Sequence, residues 1–237
     1  MTEVHTIPPS PGHGRARWFR LGVFAGFSVA RMFAGEIVLF DVFRPDWRAQ
    51  WQEHRLFSKP TEYRVVHEGE TPVLQAQSNA ANSCLLRAVD LRTPQAAHLQ
   101  WRWKIRAPLV GNTRERERRG DDFAARVVVV FEKSVLPLRT RAINYVWAAH
   151  LPRETVFPNP YSSNVAMIVL QSGGEHAGVW RSETRDVVAD YRRFFGQEPE
   201  RISAVGLFVD TDNTKSNAEA WFADFILSAE APPRRRE

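Results

Sequence analysis

The chain has 237 residues, 43% hydrophobic and 11% aromatic, with eight tryptophans and a net charge of +5. That apolar share excludes a globally disordered chain, and a single cysteine, Cys84, excludes an internal disulfide. The positive charge is carried by arginines interleaved with acids, with Lys only at positions 59, 104, 133 and 215. It does not cluster as a nucleic-acid surface would, and no nucleic-acid partner is expected.

Residues 1–14 hold Pro8, Pro9, Pro11, Gly12 and Gly14 and read as a loose leader. Arg15, Arg17 and Arg20 then precede an apolar run from Trp18 to Ala30 that ends in the small-x-small triplet Ser28-Val-Ala30. A basic start, a short apolar stretch and such a triplet make a signal-peptide pattern. The run is shorter than the roughly 20 residues a spanning helix needs. Residues 1–35 are therefore expected to be a leader plus signal-like segment, with export to the periplasm. The alternative is a cytoplasmic protein with an N-terminal helix, and any membrane contact is expected only through this segment. Residues 36–230 are expected to form one β-sandwich domain, and 231–237 a loose tail.

Ile37 to Phe43 reads as a first strand, broken by Pro45 and Asp46. Trp47 to Phe57 stays open between a short helix and a loop leading into a strand. Glu62–His67 and Pro72–Ser78 flank Glu68-Gly-Glu-Thr71 as a hairpin. Ser83 to Asp90 follows as a strand, in which Cys84 is expected to be a small buried hydrophobe rather than a nucleophile. In 98–106 the alternation is clean. Leu99, Trp101, Trp103 and Ile105 share one face, and His98, Gln100, Arg102, Lys104 and Arg106 the other. The first face belongs in the core. The second is either a solvated outer face or the floor of a groove for a polar ligand.

Pro108 to Gly120 is a loop whose mixed-sign run Arg114-Glu-Arg-Glu-Arg-Arg119 is expected to be solvated and mobile. Phe123 to Phe131 reads as a central strand, since Val127–Val130 is apolar on both faces and needs cover on both sides. Arg126 inside it needs a carboxylate partner, which Asp121 or Asp122 could supply. Further strands are expected over 142–150, 165–171, 180–187, 201–209 and 218–227. A long loop follows Pro152, and one short helix near 188–195 is stopped by Gly196 and Pro199. The sum is an all-β fold: a two-sheet antiparallel β-sandwich, jelly-roll-like, with one short helix.

Several segments resemble the bacterial family known as domain of unknown function 3047. They are Leu99-Gln-Trp-Arg-Trp-Lys104, Gly120-Asp-Asp-Phe-Ala-Ala-Arg126, Asn144-Tyr-Val-Trp147, Trp180 with Glu183, Arg185 and Val187, Asp190-Tyr191, Phe195-Gly196 and Asp210-Thr-Asp-Asn-Thr214. They cover roughly residues 36–228 in order, and the family implies no particular activity. The closing strand Ala220-Trp-Phe-Ala-Asp-Phe-Ile-Leu227 is similar to the last strand of galactose-binding-like jelly rolls in carbohydrate-binding modules, where that pattern is structural.

Candidate ligand-binding residues are Asp121, Asp122, Arg126, Asn144, Trp147, Trp180, Glu183 and Arg185. Trp147 and Trp180, with Tyr145 and Tyr161, could offer flat rings to a sugar. In Asp210-Thr-Asp-Asn-Thr214, oxygen ligands at alternate positions after a strand can grip a structural Ca²⁺, with Asp210, Asp212 and Asn213 as the candidate ligands; the alternative is an Asx-type turn. The segment is not an EF-hand, because position twelve is Trp221. If the two aspartate loops share one end of the sandwich, their carboxylates would converge. Arg181-Ser-Glu-Thr-Arg185 resembles an Arg-x-Glu-x-Arg strand of some jelly-roll polysaccharide lyases, but the accompanying Gln-x-His segment and Tyr-rich strand are not recognisable. There is no nucleophile elbow, zinc motif or phosphate loop, so no catalytic residue is assigned. The expectation is a non-catalytic module for a glycan or other polar envelope ligand. The alternatives are a polysaccharide-active enzyme, as lyase or hydrolase, and a structural or protein-interaction domain.

Overall fold

The computed structural model describes residues 37–39, 46–55, 58–93, 96–132 and 140–231. The predicted leader and signal-like segment, the strand beyond Leu39 and the tail after Ala231 lie outside the described residues. Among the described residues, thirteen strands and one α-helix follow in order. They are β1 (Ile37–Val38), β2 (Gln52–Arg55), β3 (Glu62–Glu68), β4 (Thr71–Asn79), β5 (Ser83–Arg92), β6 (His98–Ile105), β7 (Ala125–Glu132), β8 (Arg141–Ala148), β9 (Val156–Asn159), β10 (Ser162–Ser172), β11 (Arg181–Asp186), α1 (Val187–Phe195), β12 (Arg201–Phe208) and β13 (Asn217–Ser228).

Two sheets face each other. One runs β11-β6-β13-β4-β3, with β1 added along β13; the other runs β2-β5-β12-β7-β8-β10-β9. The core between them is Trp101, Trp103, Phe222 and Phe225 from the first sheet against Val127, Val129, Tyr145, Trp147, Ile168 and Leu207 from the second. Trp101 meets Trp103 edge-on at 5.6 Å between ring centres, and Trp103 meets Trp147 at 5.8 Å, spacings at which aromatic quadrupoles attract. Val128 and Val130 are buried on the far face of β7, as an apolar run on both faces of a strand demands.

Among the described strands, pairing is antiparallel except at one pair. β10 runs parallel to β8 and antiparallel to β9. The expected long loop after Pro152 contains β9, which passes beyond the place β10 fills, so β10 returns between them in the direction of β8. Trp47 to Arg55 resolves as a short 3-10 turn, Trp47–Gln50, leading into β2. The α-helix begins at Asp186, whose side chain accepts from Ala189 N at 2.8 Å, and ends at Gly196 in the left-handed region at φ 67°, a cap geometry that costs glycine little.

The arginine-rich loop is pinned rather than loose. Glu115 is buried and its carboxylate accepts from the backbone amides of Ala149 (2.5 Å), His150 (3.0 Å) and Leu151 (3.0 Å). A Cβ on Gly120 would lie 2.4 Å from Arg114 O, so only glycine closes this loop. The other five residues of the run, Arg114 and Arg116 to Arg119, are exposed as charge alternation predicts; alternation cannot show that three amides of a distant turn need Glu115 as acceptor.

Candidate functional site

The outer face of the six-stranded sheet carries an array of polar and aromatic groups. Register builds it in rows across the strands. Arg64 pairs Gln75, Gln75 pairs Trp221, and Trp221 pairs Lys104. Trp180 precedes Arg181, the partner of Trp103, and so extends this row to β11. Beside it runs a second row of Glu62, Gln77, Glu219 and Arg106; Arg106 N donates to Glu219 O at 2.8 Å. The neighbours of these residues along each strand, Leu74, Ala76, Trp103, Ile105, Ala220 and Phe222, fill the core, so period-two alternation sends the two rows outward.

Lys104 sits between the indoles. Its Nζ lies 5.2 Å from the Trp180 ring centre and 4.6 Å from that of Trp221, within cation–π range. Glu68, at the tip of the β3–β4 hairpin, pairs with Lys104 Nζ and accepts from Trp180 Nε1 at 2.9 Å. Arg102 lies over the Trp180 ring at 5.1 Å and donates to Asp224 Oδ2 at 2.6 Å. A bulge in the pairing of β13 with β6, between Ala223 and Ile226, turns Asp224 outward while Phe225 enters the core.

In the second row the polar groups hold one another. Arg64 donates to Gln75 Oε1 (2.6 Å) and Gln77 Oε1 (3.1 Å). Gln75 and Gln77 both donate to Glu219 Oε1, and Arg106 donates to Glu219 Oε2. Gln75 and Glu219 are 7% and 8% exposed, which on an outer sheet face means that neighbouring side chains fix them before any ligand arrives. A pocket of about 470 Å³ adjoins this row, lined by Lys59, Glu62, Gln77, Asn79, Arg106 and Glu219 among others.

Burial alone would push Glu219 and Glu68 up. Arg106 and Gln77 hold Glu219, and Lys104 and Trp180 hold Glu68, below the usual carboxylate range. With folded values below unfolded ones, their stabilisation is complete above the unfolded value of about 4.3 and is lost as pH falls through the folded values. Urea midpoints are thus expected to keep their Glu219 contribution above the unfolded value of about 4.3 and to lose it progressively as pH falls below that value. Glu219→Gln should flatten part of that acid slope. Identical slopes for wild type and variant would refute the assignment.

The sequence-predicted site residues are distributed over other places. Of the ring candidates, Trp180 lies on this face, and Tyr161 is half exposed at a different loop end, its hydroxyl donating to Asn213 Oδ1 at 3.1 Å. Trp147 and Tyr145 are corrections. Both are buried in the core, Trp147 Nε1 donating to Gly173 O at 3.1 Å and Tyr145 Oη to Asp190 Oδ2 at 2.8 Å, because their strand has apolar partners on both sides and alternation alone could not say which way each ring turns. Asn144 is 6% exposed on the far face of β8, its amide against Met167 Sδ at 3.5 Å, away from the two rows.

Glu183 and Arg185 face inward at the sheet edge. Glu183 is the register partner of buried Trp101 and accepts from Trp103 Nε1 (3.1 Å) and Gln171 Nε2 (2.6 Å). Burial pushes its carboxyl up, against the pull of those donors. Arg185 forks onto Asp190 at 2.9 and 2.7 Å and reaches Glu154 at 3.1 Å. These groups lock helix α1 to the sandwich edge. Cys84 is buried, and burial pushes its thiol up, which suits a core residue.

The two aspartate loops do converge. Arg126, 2% exposed, donates to Asp210 Oδ1 (2.9 Å) and Oδ2 (2.5 Å) and pairs with Asp121 Oδ1 at 3.1 Å. Its main partner is therefore Asp210, from a loop the sequence could not place beside it. Asp122 instead closes the 213–214 turn, accepting from Asn213 N (3.2 Å), Asn213 Nδ2 (3.1 Å), Thr214 N (2.6 Å) and Thr214 Oγ1 (2.6 Å). Burial pushes Asp210 and Asp121 up, and Arg126 opposes this.

Asp122, Asp210 and Asp212 bring carboxylate oxygens within 4.8 Å of one another, and three such oxygens could in principle serve Ca²⁺. The donor set fits it poorly. Asp210 is forked by a guanidinium and accepts from Phe123 N at 3.1 Å, Asp122 is saturated by its turn, and Asp212 accepts from Asn82 Nδ2 at 3.0 Å. Asn213 turns its amide nitrogen, not its oxygen, toward Asp122. A Ca²⁺ ion would have to displace these N–H donors and stand beside Arg126.

Gln75, Gln77, Glu219, Trp221 and Arg64 were not singled out from the sequence. Period-two alternation in β3, β4 and β13 marks them as outward, but register across four strands is needed to line them up.

No curated protein matches the sequence. Among solved structures, the family 11 carbohydrate-binding module of the cellulosomal cellulase Lic26A-Cel5E of Clostridium thermocellum is similar with a TM-score of 0.46 at 9% identity, over 84% of this chain and 98% of that one. The xyloglucanase domain of NopAA, a type three effector from Sinorhizobium fredii, gives 0.45 at 10% identity, over 75% and 92%. The family 30 carbohydrate-binding module of the C. thermocellum cellulase Cel9D-Cel44B gives 0.38 at 11% identity, over 76% and 92%. The family profile described as protein of unknown function (DUF3047) matches residues 49–226, and the chain belongs to that family.

Proposed function

We propose that this protein is a non-catalytic carbohydrate-binding β-sandwich that holds a glycan on the outer face of its six-stranded sheet. The observation that carries this reading is the row of Trp221, Lys104 and Trp180 set beside the prearranged Arg64–Gln75–Gln77–Glu219–Arg106 network. Indole surface covers the apolar face of a sugar ring, and fixed amides, carboxylates and guanidinium groups bond its hydroxyls. Glu183, whose carboxyl is pushed up and could act as an acid, points to the opposite side of the sheet. It does not meet a chain lying on the outer face, which favours binding over cleavage. Export, on the pattern of residues 15–30, belongs to the same reading.

The test is a panel of polysaccharides in thermal melts and calorimetry. A ligand that binds the native state raises the melting temperature by mass action. Trp221→Ala is expected to cost about 2 kcal/mol or more, as truncating a central indole does, which is roughly 30-fold in Kd. A reducing-end assay on the same mixtures should stay flat. Steady release of reducing ends, or undiminished binding by Trp221→Ala, would overturn the reading.

A further inference from the structure

We infer that the ligand is an uncharged oligosaccharide chain laid across the strands along the Arg64–Gln75–Trp221–Lys104–Trp180 row; the inference rests on the glycan-binding reading above. Two features of the face support it. The first is charge balance. Arg102 is paired with Asp224, Lys104 with Glu68 and Arg106 with Glu219, while Arg64 spends its donors on Gln75 and Gln77 beside exposed Glu62. Arg102, Lys104 and Arg106 are therefore already neutralised, Arg64 keeps its charge beside Glu62, and a uronate or sulfate would meet the carboxylates of Glu62, Glu68, Glu219 and Asp224. Hydroxyls carry no such penalty and can both donate to carboxylates and accept from guanidinium and amide groups.

The second feature is extent. Neighbouring strands lie roughly 4.8 Å apart, so a row from β3 to β11 through β4, β13 and β6 is on the order of 19 Å long. That is longer than one sugar ring, and the pocket bordered by Gln77, Arg106 and Glu219 widens the face on one flank. Side chains spaced along such a row engage successive units of one chain, so affinity should climb with chain length until the chain spans it.

The experiment titrates the full chain by calorimetry with neutral and uronate oligosaccharide ladders, from monosaccharide upward, at two salt levels. Raising salt from about 0.1 M to about 1 M shortens the Debye length from about 10 Å to about 3 Å. Kd for the neutral chains is expected to change less than about twofold over that range and to fall by about tenfold or more between the shortest and longest members. Trp221→Ala should lose the length dependence; if that variant does not fold, Gln77→Ala probes the adjoining row from a partly exposed position. Preferential, salt-sensitive binding of uronate chains would overturn the inference and leave glycan binding standing. Monosaccharide binding as tight as that of long chains would overturn it equally. Silence toward every saccharide would remove the glycan-binding reading itself.

Discussion

Replacing Arg126 with Met is expected to cost about 3–5 kcal/mol of folding stability, the largest single-site loss at the loop end of the sandwich. The guanidinium is 2% exposed and stands over the rings of Phe123 and Phe208 at 4.7 Å each. Burial works against its charge, but Asp121, Asp210 and Asp122 push its proton affinity up and keep it cationic. Methionine fills similar volume yet leaves the Asp210 carboxylate, also 2% exposed, without its counter-charge. Urea denaturation measures the loss. Asp210→Asn added to Arg126→Met should recover part of it, because the two residues act as one pair and their costs do not add. Fully additive costs would show that the fork carries no coupling. Thermal melts in EDTA and in added Ca²⁺ are expected to coincide, since Arg126 already holds Asp210 and the Asn213, Thr214 and Asn82 donors hold Asp122 and Asp212. A Ca²⁺-dependent rise would show that Asp122, Asp210 and Asp212 take a metal after all.

Trp147→Ala should cost a similar amount, about 3–5 kcal/mol, from lost transfer energy plus the cavity left behind. The indole is 1% exposed, packs on Trp103, and bonds Gly173 O. Its effect on glycan affinity, measured on the folded protein at low temperature, should be small. Trp221→Ala is the mirror case, with affinity lost and the melting temperature nearly kept. The pair separates a core indole from a surface one on the same sandwich. If Trp147→Ala abolished binding while leaving stability intact, the assignment of Trp147 to the core and of the binding face to Trp221 would be reversed.

Alternation made most of the fold readable. His98–Ile105 shows the expected burial pattern residue for residue, with Leu99, Trp101, Trp103 and Ile105 inside, because a strand with one solvated face must repeat every second residue. The helix over Val187–Phe195 is legible from its spacing and its Gly196 stop. β9 is not, since four residues including Pro158 carry too short a pattern to mark a strand.

The site was legible in part. Arg126 inside a valine run already demanded a carboxylate, and Asp121 supplies one. That Asp210 is the stronger partner depends on a loop 84 residues away. Likewise, the outward cationic ladder of β6 can be read from the chain, but its meaning comes from what lies alongside. Trp221, Gln75, Gln77 and Glu219 reach Lys104 and Arg106 only through the registers of β13 with β4 and β6. The sequence by itself determined which side chains of a strand share a face, because alternation is local and obligatory. Only the tertiary structure decided which outward groups share a row, because strand order and register are set by contacts between residues far apart in the chain.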